Sequence, residues 1–259
     1  MISEPLLRAR LDALGADFSA VLTPDAPDST NNLAKSLAAN SVTEIKPVLI
    51  AADYQSGGRG RQGKSFVSPR GGLYLSVLLP TNGHPASEIV GVTSSSAVAV
   101  ARAVDRCAGC ETRIKWVNDI LLGDGKLAGI LCESVGDPAR PRALVVGVGV
   151  NLTAAPKIEG AAIPPVSLAD AGYSAEPEAL AASIAAGLLD VAKHDFVFSA
   201  CADEYRARSA VLGERIVFTQ NGKAADGEAV SIDEDGALVV RCGDGLRRLS
   251  SGEISVRRV

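Results

Sequence analysis

Two spacings of apolar side chains divide this chain into elements. Around Leu33-Ala34-Lys35-Ser36-Leu37-Ala38-Ala39 the repeat is helical, and Asp28-Ser29-Thr30-Asn31-Asn32 ahead of it supplies capping residue types, so a capped helix is predicted there. The run 46–53, with Val48, Leu49, Ile50 and Ala51, has the unbroken apolar character of a buried strand, and 72–79 is a second one. Ile89, Val90, Thr93, Ala97, Val100, Ala101 and Val104 then fall at helical spacing, predicting a helix from Ser87 to about Cys107. Strands are predicted at 112–116, 119–122, 126–134 and 142–150, with Gly123-Asp124-Gly125 as a tight hairpin. Segment 151–166, with Pro156, Pro164 and Pro165, reads as loop, and the segments 176–193 and 199–208 read as helices.

Past Leu212 the pattern shortens. Alternating segments at 215–219, 228–232, 237–241, 246–249 and 254–257 are separated by Asn221-Gly222, Asp226-Gly227, Asp235-Gly236 and Asp244-Gly245. Repeated Asx-Gly pairs between short strands predict a compact all-β module. The expected architecture is therefore α+β: a mixed or antiparallel sheet with helices to one side over 1–212, then the small β module over 213–259. Strict βαβ alternation is absent.

Composition narrows the function classes. The 259 residues are 47% hydrophobic and 22% charged, a globular balance, and with aromatics at 4% the core must come from Val, Leu, Ile and Ala. Thirty acids against 26 Lys and Arg leave a net charge of −4, which argues against a general nucleic-acid coat. The N-terminus lacks a signal-peptide pattern and no apolar run reaches a spanning length, so a cytoplasmic protein off the membrane is expected. Five cysteines, paired in sequence only as Cys107-Ala-Gly-Cys110, and two histidines, His84 and His194, predict reduced thiols and no metal site.

Against this acidic background, 55–64 stand out. Gln-Ser-Gly-Gly-Arg-Gly-Arg-Gln-Gly-Lys interleaves four glycines with Arg59, Arg61 and Lys64, and no acid lies between Tyr54 and Arg70. Glycines let backbone N–H groups gather around an anion while the cations supply charge, so the loop suits a phosphate. Surface turns of this composition are also common, and the segment alone leaves both readings open. Lys115 and Lys126 flank one predicted hairpin and can share a face; Asn118-Asp119 between them also fits ordinary turn chemistry. Gly147 and Gly149 end an apolar strand, as a bulge or where a ligand meets backbone. No convincing Ser/His/Asp or Cys/His set is present.

Six signatures occur in order: Asp28-Ser29-Thr30-Asn31; Gln55 with Gly58-Arg59-Gly60-Arg61-Gln62-Gly63; Lys115-Trp116-x-Asn118-Asp119; Gly125-Lys126-Leu127-Ala128-Gly129-Ile130-Leu131; Gly147-x-Gly149-x-Asn151; and Gly252-Glu253-Ile254-Ser255. Each is weak alone. Together, from Asp28 to Arg257, they resemble the biotin–protein ligases, the biotin–[acetyl-CoA-carboxylase] ligases. The resemblance implies a catalytic domain similar to class II aminoacyl-tRNA synthetases and a C-terminal SH3-like barrel. It implies that biotin and ATP, with Mg²⁺, form biotinyl-5′-AMP, and that a lysine of a biotin carboxyl carrier domain then takes the acyl group. A homodimer stays open.

By position, the resemblance implies Lys126, Arg61, Asp119 and Lys115 as the catalytic set. Lys126 would meet the biotin carboxylate and Arg61 the phosphate, with backbone donors from Arg59 and Gly60. The parts played by Asp119 and Lys115 stay undivided. Ser29, Thr30, Asn31 and Gln55 are implied for the biotin pocket, where a neutral ureido group calls for neutral partners; Arg59, Gly60, Arg61, Lys126 and Gly129 adjoin it. Gly147 and Gly149 would let the bicyclic ring pack on backbone. The adenylate side is implied for Arg59, Arg61, Lys64, Phe66, Asn118, Lys126, Asn151 and Arg257, and the basic loop is expected to order over the intermediate.

Some positions depart from the family pattern. Lys64 stands where an arginine is frequent, Phe66 for a tryptophan and Val117 for a proline, which puts fine positioning in doubt. Only 27 residues precede Asp28, fewer than a winged helix-turn-helix needs, so no DNA-binding role is expected. The alternatives are a lipoate–protein ligase and a non-enzymatic phosphate- or RNA-binding protein.

Overall fold

The protein is described here by a computed structural model covering residues 1–42, 44–220 and 223–250, with the backbone alone of 257–258. The Gly252-Glu253-Ile254-Ser255 signature and the Asn221-Gly222 pair lie outside the described residues.

Helix α1 (Glu4–Ala13) opens the chain with Pro5 in its first turn and buries Leu7 and Leu11. Neither it nor strand β1 (Ala20–Leu22) is predicted from apolar spacing, because each buries too few side chains to show a period. Helix α2 (Thr30–Asn40) is capped as expected, Ser29 Oγ accepting from the Asn32 N–H. Strands β2 (Val48–Ala52) and β3 (Leu73–Pro80) follow.

Helix α3 (Val92–Ala108) starts five residues after Ser87. The chain from Pro85 instead makes i−3 turns, Glu88 N–H to Pro85 O and Val92 N–H to Ile89 O, and Ser87 caps nothing. Then come β4 (Arg113–Lys115), β5 (Asp119–Leu122), β6 (Gly125–Gly136), β7 (Pro141–Val150), α4 (Pro177–Lys193) and α5 (Ala202–Ala207).

These strands form a seven-stranded sheet in the order β1-β2-β3-β7-β6-β5-β4, parallel only between β1 and β2. Alternation along β7 sorts its faces. Leu144, Val146, Val148 and Val150 join the cluster of α1, α3 and α4, whereas Ala143 and Val145 pack with Ala34 and Ala38 of α2. The helices therefore cover both faces, correcting the one-sided expectation. A three-turn helix with only a narrow alanine stripe was assigned no face by its sequence.

The second sheet contains β8 (Arg215–Gln220), β9 (Lys223–Ile232), β10 (Leu238–Cys242), β11 (Gly245–Leu249) and β12 (Arg257–Arg258), in the order β11-β10-β9-β8-β12. Asp226-Gly227 is no turn. It lies inside β9, where a Cβ on Gly227 would press on Arg241 O of β10, so close strand packing explains that glycine. Ile216, Phe218, Leu238 and Val240 continue the main core cluster. Polar bonds also tie the second sheet's side to the first: Trp116 Nε1–H, between β4 and β5, donates to Gly236 O of the β9–β10 connection at 2.9 Å, and Arg206 Nε–H of α5 to Ile232 O of β9 at 2.9 Å.

Candidate active site

The α2 face of the large sheet changes character toward the end of β7. After Val145 it presents Gly147 and Gly149, beside Gly129 and Leu131 of β6 and Ser76 of β3. Small residues there leave a depression of about 200 Å³. Its walls are the first turn of α2 with Gln55, the basic loop, and the β4–β5–β6 hairpins.

The neutral wall is hydrogen-bonded throughout. Gln55 Oε1 accepts from Thr30 N–H at 2.8 Å, and Gln55 Nε2–H donates to Ser68 Oγ at 3.0 Å, whose own proton goes to Phe66 O at 2.8 Å. The Gln55 amide is thus held with its oxygen toward α2. Asn31 Nδ2–H donates to Glu133 Oε2 at 2.8 Å, and Lys35 Nζ pairs with Glu133 Oε1 at 2.6 Å.

The basic loop is a closed miniature hairpin. Arg59 bridges Ser65, and Phe66 N–H donates to Gly58 O at 2.9 Å. Its turn uses left-handed backbone at Gln62 (φ 57°) and Gly63 (φ 73°). Gly60 N–H already donates to Lys64 O at 2.7 Å, so the backbone donor expected of Gly60 is spent inside the loop. Arg59 Nη1 donates to Asn32 Oδ1 at 2.9 Å, tying the loop to α2. Arg61 Nη1 donates to Asn118 Oδ1 at 3.0 Å, and the Asn118 amide is oriented by Ile130 O, which accepts its Nδ2–H at 2.8 Å. Burial lowers the pKa of the Arg61 guanidinium from its ordinary value, with Asp119 opposing the shift.

Opposite the loop, Asp119 stands between two ammonium groups, 2.7 Å from Lys126 Nζ and 3.9 Å from Lys115 Nζ. Lys126 also lies 5.8 Å from the Phe66 ring centre. The cavity gathers five cations, Arg59, Arg61, Lys64, Lys115 and Lys126, around one carboxylate, Asp119. In a chain of net charge −4, that concentration defines an anion-receiving surface. Among the described residues, no group of three or more His, Cys, Asp or Glu gathers as a metal cage.

The predicted residues Ser29, Thr30, Asn31, Gln55, Arg59, Gly60, Arg61, Lys64, Phe66, Lys115, Asn118, Asp119, Lys126, Gly129, Gly147 and Gly149 all line this one cavity. Two expectations change. The space above Gly147 is taken by the Asn31 amide oxygen and that above Gly149 by the Phe66 ring, which a Cβ would strike in each case. Asn151 is not on the cavity wall; it is buried and donates to Lys126 O at 3.3 Å and Val166 O at 3.1 Å. With Val166 N–H on Lys126 O and Lys126 N–H on Pro164 O, it braces the backbone that carries Lys126. Arg257 is placed by its backbone alone, in β12 opposite Val217.

Residues 25–151 match the biotin/lipoate A/B protein ligase family, and residues 211–257 match the biotin protein ligase C-terminal domain. A biotin–[acetyl-CoA-carboxylase] ligase of Paracoccus denitrificans is 33% identical over 213 residues, 79% of this chain and 88% of that protein. One from Mycobacterium tuberculosis is 31% identical over 260 residues, 98% of this chain and 95% of the relative. The chain belongs to the biotin protein ligase family. The fold agrees: the biotin protein ligase of Aquifex aeolicus, solved with biotin and ATP, superposes with a TM-score of 0.76 at 23% identity over 93% of this ligase and 100% of that chain.

Three side chains of this ligase that are bonded to the cavity wall or to one another behind it lie outside the six signatures. Ser76 is the one small polar residue in Leu73-Tyr-Leu-Ser-Val-Leu-Leu79, and an aliphatic hydroxyl within a buried strand was the available signal. Glu133 lies two residues past the Gly125–Leu131 signature, as the first acid after the run 127–132. Lys35 is one helical turn from Asn31 and carries no signal of its own.

Proposed function

We propose that this ligase condenses biotin with ATP to biotinyl-5′-AMP and pyrophosphate, then passes the biotinyl group to a lysine of a carboxylase's biotin carboxyl carrier domain. One observation carries the reading: a set of neutral hydrogen-bonding side chains and a set of five cations line one cavity. A neutral ureido head fits the first, and a carboxylate meeting a polyphosphate needs the second.

In the first step a biotin carboxylate oxygen attacks the α-phosphorus and pyrophosphate leaves. Both reactants are anionic, so fixed cations must offset their repulsion and hold the attack line. Lys126 serves the carboxylate and Arg61 the phosphate. Asp119 keeps the Lys126 ammonium aimed into the cavity, and Lys115 lowers the cost of burying that carboxylate. Mg²⁺ enters with ATP as part of the substrate. In the second step the acceptor amine attacks the acyl carbon and AMP leaves, its charge met by the same cations. The basic loop, tied to Asn32 and Asn118, closes over the mixed anhydride and keeps water from it.

In this reading, 1–212 form the catalytic domain and 213–259 an SH3-like module, acting in the cytoplasm. The test is incubation with Mg·ATP, biotin and a carrier domain, followed by intact mass. A gain of one biotinyl group on the carrier is expected. No gain, or a gain with lipoate in place of biotin, overturns the reading.

A further inference from the structure

We infer that Glu133, held by Lys35, is a positioning residue that sets the direction of the hydrogen bonds in the neutral wall, so that Thr30 offers an acceptor to a ligand N–H. This rests on the biotin reading above and extends it to residues with no assigned role.

Direction follows from counting protons. A carboxylate can only accept, and a backbone carbonyl can only accept. Asn31 Nδ2 faces both kinds, Glu133 Oε2 at 2.8 Å and Leu131 O at 3.4 Å, so the nitrogen of that amide must point toward β6. Its oxygen then points to Ser76 Oγ, 2.6 Å away. An amide oxygen has no proton, so Ser76 commits its single proton there. Thr30 Oγ1 lies 2.7 Å from the same Ser76 oxygen, and with the Ser76 proton spent, Thr30 supplies the proton of that bond. Gln55 Oε1, at 3.1 Å, is the more distant claimant. Thr30 therefore keeps lone pairs, and no proton, for the cavity.

A cyclic urea presents N–H donors, which need such an acceptor; a dithiolane presents none. Selectivity for a ligand N–H would thus begin at a carboxylate separated from it by three side chains, Thr30, Ser76 and Asn31. Burial works against the Glu133 charge, but hydrogen bonds from Lys35 and Asn31 outweigh it and keep the carboxyl below its ordinary pKa. The chain is nearly sealed: Asn31 and Thr30 are each 3% exposed and Ser76 is fully buried, so water cannot readily replace a reversed bond.

Glu133→Gln keeps the shape but adds a donor, which lets the Asn31 amide turn over; Ser76 then donates to Thr30 Oγ1 and occupies one of its lone pairs, and the Thr30 proton is released toward Gln55 Oε1 or the cavity. The expected result, read by biotin-dependent pyrophosphate exchange, is a biotin KM raised about tenfold with the ATP KM and kcat within about twofold, the scale of one hydrogen bond. Lys35→Met, at a partly exposed position, should raise the biotin KM in the same direction by a smaller factor and covers the case in which Glu133→Gln does not fold. A biotin KM within twofold of the parent in both variants, or equal rises for biotin and ATP, overturns the inference and leaves the ligase reading intact. Absence of biotin-dependent exchange in the parent enzyme removes both.

Discussion

Lys126 Nζ lies 2.7 Å from Asp119 Oδ1, an ion pair across the β5–β6 hairpin on the wall of the cavity. Lys126 is at the start of β6 and Asp119 at the start of β5, so the sheet register and not the sequence interval sets their approach. The carboxylate directs a flexible ammonium that would otherwise sample many rotamers.

Replacing Lys126 with alanine removes the donor proposed for the developing charge. Adenylate formation should fall by about a hundredfold or more, the loss typical of one such donor. Near-normal pyrophosphate exchange in that variant would contradict the role given to Lys126.

Arg61 reaches Asn118 from a loop otherwise exposed at its tip. Arg61→Gly should loosen the closure and raise release of biotinyl-AMP, measured by rapid filtration of enzyme loaded with labelled biotin. Retention equal to the parent's would separate the loop from containment of the intermediate.

Gly147→Ala places a methyl group against the Asn31 amide oxygen, with β6 behind the amide and little room to retreat. The biotin KM should rise at least tenfold, since a misdirected amide leaves buried polar groups unpaired. An unchanged KM would mean the sheet yields at that point.

Trp116 links the Lys115–Asp119 signature to the β9–β10 connection through its bond to Gly236 O. Trp116→Phe keeps an aromatic ring but removes the pyrrole part of the indole with its N–H, leaving a buried carbonyl unpaired and a small void beside it. A loss of about 1–3 kcal/mol is expected, lowering the thermal midpoint by several degrees. Calorimetry with no change in midpoint would mean that another donor replaces the indole.

Acid should loosen the α3–α5 contact. Hydrogen bonds from Arg102, and then Arg208, outweigh burial and lower the Glu204 pKa from 4.5. Because the folded value is the depressed one, this contribution is present above the ordinary carboxylate value and is lost as pH falls through the folded one. Arg102 is half exposed, so the gain is screened and modest. Glu204→Gln should flatten the acid limb of a plot of melting temperature against pH; a limb of unchanged slope would assign the acid sensitivity to other carboxylates.

Much of this molecule could be read from one dimension. Strand β5 was predicted with its observed bounds, and β2, β3, β7 and α4 to within about two residues, because long apolar runs bury enough side chains to show a period. The family signatures named the residues that line the cavity, since backbone approach, fixed charge and capping each demand a residue type that survives in the letters themselves. Folding alone settled the matters of distance. Which face α2 covers, that Asn151 braces Lys126 from behind, and that Glu133, Asn31, Ser76 and Thr30 form one directed chain all depend on strand register. Those contacts join residues up to about a hundred positions apart. No local pattern encodes them, because the partner of each polar atom is chosen when the sheet closes and every buried donor must find an acceptor.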